Sequence, residues 1–547
     1  MKTIHDIRPR AETAAAYRSQ GVWRDLTALD DLQRWLEETP DSTAIFAHRA
    51  GADPLRVTYA QFAGAVERFA AGLAELGVGP GQVVAIQLPN WWQTSALMLA
   101  CIRVGAVMAP IMTTIRAREL ERVLVRLEVT VCVTTDRWDG YEHAAALSEM
   151  SSRLPDLKHR VVLGEKIADD EVDFVTHFEN TAWEERHPMP LALADEDPDR
   201  PVLVLFTSGT SGEPKGVLHS FNTLYASCSA VVPLERIGPG ETVFIPLPLT
   251  HIFGTLCGML MPLFGGAAWV LLDVWSPESA LAIMTDARVT IFEASPAFVS
   301  ALVAAAADGP VDLPDLRFMV CGGATIPAKL VADVDRVFGV TLRALWGMTE
   351  CSWSTWTRVD DPADEALRSD GRPVPGVELD LRAESEISRE RPARLFIRGA
   401  GLGLATLGRD GGELRVLAEH DDGWYDTGDL AIPDGRGGIR VVGRDADRIG
   451  GGWIIPVNDV ESELLAHPAV ADVALVGYLD DDGFELACAV IVPVAAPPTL
   501  AELRTYLDSR GMTGWYQPSR VEIVAELPRN ASRKVLKEQL RRWLREN

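Results

Sequence analysis

Short apolar runs recur along the first four-fifths of the chain, and between them apolar residues are spaced by three or four. Residues 83–88, 105–111, 202–206, 267–272, 289–292, 317–320 and 341–345 read as buried strands. Thr58 is placed to cap a helix whose apolar face is Phe62, Val66, Phe69, Leu73 and Leu76, ended by Gly77 and the Gly79-Pro80-Gly81 turn. A second helix is expected over residues 92–103. Strands that alternate with helices in this way predict an α/β fold of layered, largely parallel sheets. The texture changes after Gly443-Arg444. Residues 459–467 read as a helix, 470–476 and 485–492 as strands, 500–510 as a helix, and 533–547 as a basic helical tail. The boundary is expected at residues 444–446, with a large domain over 1–443 and a small α+β domain over 444–547.

Composition narrows the partners. Apolar residues make up 47% of the 547, enough for large cores and too many for a disordered chain. The formal charge of −26 opposes binding to nucleic acid or anionic lipid. It leaves room for one phosphate-bearing ligand where a few cations converge. Cys101, Cys132, Cys228, Cys257, Cys321, Cys351 and Cys488 form no CxxC pair and are odd in number, which suits free thiols in a reducing compartment. Residues 1–10 are charged, with no apolar run after them of the kind a secretory signal needs. Residues 252–272 carry no charge, but Gly254, Gly258, Pro262, Gly265 and Gly266 interrupt them. They are expected to form a short buried helix, a Gly-Gly turn and a core strand rather than a membrane span. The protein is therefore expected to be soluble and cytoplasmic.

The stretch Phe206-Thr207-Ser208-Gly209-Thr210-Ser211-Gly212-Glu213-Pro214-Lys215-Gly216 leaves the end of an expected strand, where ligands of such sheets bind. Its glycines let backbone N–H groups converge, its hydroxyls add donors, and Lys215 supplies a charge, a combination suited to polyphosphate. A plain Ser/Gly surface loop is the alternative. The P-loop pattern GxxxxGK[ST] fails, because Lys215 follows Pro214 and precedes Gly216. Gly399-Ala400-Gly401-Leu402-Gly403 lacks the third glycine of a dinucleotide motif and reads as a turn. No HExxH or GxSxG occurs.

With that loop in place, the chain resembles the adenylate-forming superfamily of acyl-CoA synthetases, peptide-synthetase adenylation domains and luciferases. The resemblance spans nearly the whole chain. It rests on the loop, Trp346-Gly347-Met348-Thr349-Glu350, Trp424-Tyr425-Asp426-Thr427-Gly428-Asp429, Gly443-Arg444, and Asn530-Ala531-Ser532-Arg533-Lys534, in that order. Gln87-Leu88-Pro89-Asn90-Trp91-Trp92, and Ile455-Pro456-Val457 beside Gly451-Gly452, are similar to the alicyclic and medium-chain acid:CoA ligase branch.

The resemblance implies ATP and Mg²⁺, a small-molecule acid as substrate, and CoA as acceptor. It implies that Thr207, Ser208, Gly209, Thr210, Ser211 and Lys215 hold phosphates and that Glu350 is the Mg²⁺ carboxylate. Thr349, beside Gly347 and Met348, would meet the phosphate or acyl oxygen, and Trp346 would face adenine unless it is simply a core tryptophan. Gly322-Gly323-Ala324 resembles the turn lining the adenine slot. Asp429 would accept from the ribose hydroxyls, and Arg444 would donate to ribose or phosphate. Lys534 would be the adenylation lysine, brought in by a mobile small domain; a lysine in a basic tail is otherwise a solvated charge. The acid pocket is expected near His251, Phe253, Gly254, Ser295, Cys321 and Trp346, mostly apolar or aromatic, with His251 either a gate or a packed core residue. Three departures stand out. Ala446 takes the place of a polar hinge residue, Trp453-Ile454 the place of a Glu-Asn pair, and Arg533 the place of a glycine. They leave open a carrier protein as acceptor, nitrite activation for attack by an aryl amine, or a non-catalytic nucleotide-binding relative. No feature of the sequence reports an oligomeric state.

Overall fold

The computed structural model describes residues 3–186, 197–207, 215–306, 311–389, 391–408, 413–444, 449, 455, 457–480, 485–510, 512, 514–530 and 533–546. Packing divides the chain into two compact units. One comprises Met1–Glu293, Met348–Trp353 and Ala400–Leu417; the other comprises Ala294–Gly347, Ser354–Gly399 and Ala418–Asn547.

The first unit follows the expected rhythm. Thr58 caps the helix Tyr59–Glu75 reciprocally: its Oγ1 accepts from the Gln61 N–H, and the Gln61 side chain accepts from the Thr58 N–H. Phe62, Val66, Phe69 and Leu73 form the buried face, while Leu76 caps the end half-exposed. Strand Val83–Gln87 and helix Trp92–Arg103 come next. One sheet runs in the order Leu414–Val416, Ala405–Leu407, Lys215–Ser220, Pro201–Thr207, Val107–Pro110, Val83–Gln87, Val131–Thr135, His159–Leu163 and Val172–Asp173. Its central strands are parallel, with Val84 opposite both Met108 and Val131. Pairing with Lys215–Ser220 is antiparallel, as a short connection allows.

A second sheet in this unit pairs Leu55–Thr58 with Thr43–His48 antiparallel, then Ala268–Leu272, Thr242–Phe244 and Ile291–Ala294 in parallel. The last strand begins two residues later than expected. Arg288 takes a left-handed φ of 52° and the Val289 N–H donates to the Met284 carbonyl, so Val289 closes the preceding helix instead of opening the strand. Residues 252–272 are buried throughout, as helix, a five-residue π turn (Leu256–Leu260), helix, a left-handed Gly266 and the strand Ala268–Leu272. No helix among the described residues is long and apolar enough to cross a membrane.

The second unit holds the parallel pair Phe318–Cys321 and Thr341–Met348, then an antiparallel sheet of Val377–Arg382, Ala393–Gly399, Tyr425–Pro433 and Ile439–Arg444. Its final hundred residues pack three helices on strands Val470–Leu479, Glu485–Pro493 and Arg520–Ile523. The period of two is plain there. Val473, Leu475, Ala489 and Ile491 face Val460, Leu464, Leu503 and Leu507, while Ala474, Val476 and Val490 face Leu540 and Leu544. The basic tail is helical only over Lys537–Glu546. The residues expected to start it form a turn, because Arg533 is left-handed and Val535 bridges back to Arg529.

Candidate active site

The expected phosphate loop is bracketed by two paired strands. Thr207 ends one and Lys215 opens the other, directly opposite in register. Ser208, Gly209, Thr210, Ser211 and the Thr207 side chain lie outside the described residues. The Lys215 Nζ donates to Glu350 Oε1 at 2.9 Å, with the Glu350 side chain only 9% exposed. A salt bridge this sheltered is hard to break singly, since either partner alone would be a poorly solvated charge.

Alternation along the strand puts His219 on the same face as Lys215. His219 is fully buried, its Nε2–H donates to the Thr349 carbonyl at 2.7 Å, and its Nδ1 lies 3.0 Å from the Thr223 hydroxyl. Burial pushes its pKa down to about 4, with the Thr349 carbonyl and the Glu350 charge offsetting only part. The imidazole is therefore neutral near pH 7 and serves as a fixed donor. A second donor, the Gly403 N–H, holds the Glu350 carbonyl at 2.8 Å. The backbone of Thr349 and Glu350 is thus pinned twice, which aims the carboxylate at Lys215. Nothing in the sequence marked His219; its only trace is a polar residue in an apolar strand, two steps of alternation from Lys215.

The other half of the Trp346–Glu350 motif belongs to the second unit. Strand Thr341–Met348 carries Trp346, whose indole N–H donates to Asp429 Oδ2 at 2.9 Å. Trp346 and Asp429 are both buried. Asp429 follows a turn at Gly428 (φ 74°), its N–H donates to Thr427 Oγ1, and that hydroxyl donates to the Leu395 carbonyl. Asp429 sits opposite Arg444 in the strand register; the Arg444 side chain lies outside the described residues. At the end of strand Phe318–Cys321, Gly323 and Ala324 form an exposed turn. Gly322 before them is tightly constrained, since a Cβ there would sit 2.6 Å from Leu345 Cδ1.

The expected acid-pocket residues divide three and three. In the first unit, His251 caps the helix Ile252–Thr255, its Nδ1 accepting from the Phe253 N–H at 3.3 Å, with the two rings 5.5 Å apart. Gly254 has no substitute, because a Cβ would lie 1.9 Å from the Pro248 carbonyl oxygen. In the second unit, Ser295 precedes helix Pro296–Ala305 and its hydroxyl has no partner among the described residues. Cys321 is fully buried, and burial raises its thiol pKa far above the ordinary range. Trp346 completes the set.

Lys534 is exposed on a turn. Its N–H donates to Asn530 Oδ1 and its carbonyl accepts from the Asn530 N–H, both at 2.9 Å. Arg533 before it has φ 63°. The glycine usual in the resembling family is explained by this left-handed backbone, which the present chain adopts with an arginine. Ala446 and Trp453-Ile454 lie outside the described residues.

Set beside known proteins, residues 32–405 match the family model described as AMP-binding enzyme, and residues 459–534 match its C-terminal domain. The chain belongs to this family. It is 30% identical to the medium-chain fatty-acid–CoA ligase of Escherichia coli over 96% of this chain and 92% of that protein. It is also 30% identical to the salicyl-AMP ligase / salicyl-S-ArCP synthetase of Mycobacterium tuberculosis, over 98% and 94%. The crystal structure of an anthranilate CoA ligase in complex with anthranoyl-AMP shares the fold with a TM-score of 0.84 at 23% identity, covering 96% and 98% of the two chains. The amide bond synthetase McbA from Marinactinospora thermotolerans is 27% identical with a TM-score of 0.78, over 94% and 99%. The protein is an ATP-dependent, adenylate-forming ligase of the AMP-releasing, acid–thiol class.

Proposed function

We propose that the ligase joins a cyclic, aromatic or medium-length carboxylic acid to CoA in two half-reactions. First, a carboxylate oxygen attacks the α-phosphorus of ATP, the bond to the β-phosphate oxygen breaks, and acyl-AMP and pyrophosphate result. Then the thiol sulfur attacks the acyl carbon, its proton passes to solvent, and AMP leaves. The salt bridge between Lys215 and Glu350 carries this reading, because it joins the lysine after the phosphate loop to the carboxylate of the Trp346–Glu350 motif. With ATP bound, Lys215 turns to phosphate oxygens, and the pinned Thr349–Glu350 backbone keeps the carboxylate in place. One carboxylate beside phosphate oxygens and water suits Mg²⁺, a hard cation that keeps most of its waters. Bound there, Mg²⁺ would neutralise charge on the polyphosphate. Asp429 accepts from the ribose, and Trp346 is held beside it by the indole hydrogen bond.

Lys534 acts from a small domain over residues 444–547 that closes on a large domain over residues 1–443; the two family-model matches, ending at 405 and starting at 459, support that division. Two unit charges ~4 Å apart interact by about 1 kcal/mol in water and about 4 at an effective dielectric near 20. The lysine therefore contributes only once closure excludes water. Relatives named for medium-chain fatty acids and salicylate support the acid class. The relative named salicyl-S-ArCP synthetase keeps a carrier protein as the second reading for the acceptor. The buried free thiols suit the cytoplasm. The test is product analysis with a panel of acids and CoA: AMP, pyrophosphate and thioester are expected, and ADP with orthophosphate would overturn the reading. Replacing CoA by a carrier protein separates the two acceptors.

A further inference from the structure

The peptide between Arg533 and Lys534 is gripped at both ends. Its N–H, on Lys534, donates to Asn530 Oδ1 at 2.9 Å. Its carbonyl, on Arg533, accepts from Arg529 Nη1. A peptide unit is planar and rigid, so holding its N–H and its carbonyl fixes the direction in which the next residue leaves. Here that residue is Lys534. The grip matters because Arg533 is left-handed, at φ 63°, a costly backbone for a residue that is not glycine.

Arg529 steadies that carbonyl only if its own guanidinium is held. Its other amino group, Nη2, donates to Asp472 Oδ2 at 2.5 Å, the two side chains being 26% and 29% exposed. Asp472 is aimed from the sheet. It lies on strand Val470–Leu479, and alternation puts it on the face of Ala474 and Val476. Its Oδ1 accepts from the Val473 N–H at 3.0 Å, which leaves Oδ2 presented to the arginine. The backbone of Arg529 is also bridged across the turn to Val535. Packing gives less help here, since Arg529 and Arg533 border an open groove whose walls include Asp472, Val492, Leu527 and Leu536. A guanidinium offers two amino groups in one rigid plane, which a lysine cannot. Contacts therefore run from the strand, through one planar fork, to the peptide that carries Lys534.

We propose that Arg529 and Asp472 are positioning residues for Lys534, a clamp that sets where the lysine's charge arrives during acyl-AMP formation. This rests on the acid-activating reading above, in which Lys534 promotes adenylation. The pair touches no substrate. It narrows the positions that the Lys534 ammonium samples, and a misplacement of about 1 Å costs on the order of 100-fold in rate.

The test uses the full-length protein, pyrophosphate exchange with the acid that the wild type activates best, and a denaturant midpoint for every variant. Arg529→Gln and Asp472→Asn are each expected to lower the maximal exchange rate by about 10-fold or more, with the KM for ATP changed by less than about 2-fold. Arg529→Lys keeps the ion pair with Asp472 but lacks the second donor. It is expected to hold the midpoint of the wild type and still lose most of the rate, which separates a displaced lysine from a weakened small domain. In a Lys534→Ala background, Arg529→Gln should cost nothing further, because it acts through the lysine. An unchanged rate in Arg529→Gln, full activity in Arg529→Lys, a lowered midpoint in Arg529→Lys, or a loss that adds to that of Lys534→Ala would overturn the clamp alone. Full exchange in Lys534→Ala would overturn the lysine's role and the clamp with it, and a wild type that activates no acid would overturn the acid-activating reading itself.

Discussion

The two lysines expected to handle ATP are mounted in opposite ways. Lys215 opens a strand, is tied by the ladder to Thr207, and holds a nearly buried carboxylate whose backbone is itself pinned by His219 and Gly403. Lys534 is exposed, and its turn rests on a pair of hydrogen bonds with Asn530 and a left-handed Arg533. One region is organised before any substrate arrives; the other presents a charge whose value depends on what later surrounds it. The comparison teaches that, on the proposed function, preorganisation and timing would be divided between two cations. The first would set where polyphosphate sits, and the second when the reaction is promoted.

The largest expected effect tests the second lysine. Lys534→Ala should slow acyl-AMP formation by at least ~100-fold, about 2.7 kcal/mol of barrier, with little change in ATP affinity measured by calorimetry. A comparable loss of ATP affinity would make Lys534 a binding residue and blur the contrast. Glu350→Gln should lower adenylation by ~30-fold, about 2 kcal/mol, and raise the Mg²⁺ concentration needed for half-maximal rate; an unchanged Mg²⁺ requirement would remove Glu350 from the metal. The buried His219 gives a third effect, on stability. Its pKa is depressed in the folded state, so the unfolded chain binds the extra proton, and stability is complete above about pH 6.5 and falls as pH drops toward 4. Of the stability that denaturant titrations show lost between pH 6.5 and 5, about 1.5 kcal/mol should belong to His219, with the buried His143, also pushed down to about 4, adding its own share; His219→Gln should make that limb shallower by its part. The smallest effect belongs to Arg533→Gly, which relieves a left-handed arginine but loosens the unfolded chain. Stability should change by under ~1 kcal/mol and adenylation by less than ~2-fold. A large rate change would show that the arginine side chain, not the turn, matters.

Much of this was legible before folding was considered. The Phe62–Leu73 face, the Thr58 cap and the interrupted run over residues 252–272 emerge as expected, because local spacing and glycine placement govern them directly. Strand and tail boundaries drifted where one residue adopted a left-handed backbone, at Arg288 and Arg533, neither of them a glycine that would have announced it. Candidate site residues in recognisable order, such as Glu350 and Asp429, could be proposed from sequence. His219 could not, since a single polar residue in an apolar strand reads the same whether it is bonded, unsatisfied or facing solvent.

Sequence alone determined the layered α/β class, the change of texture near residue 444 and the candidate groups for holding a nucleotide, because periodicity, turn chemistry and ordered motifs are properties of neighbours along the chain. Tertiary structure decided which of those groups meet. The Lys215–Glu350 bridge joins residues 135 positions apart, the His219–Thr349 bond 130, and the Trp346–Asp429 bond 83. Hydrogen bonds and burial act through space at about 3 Å, so only the folded backbone settles their partners and their protonation.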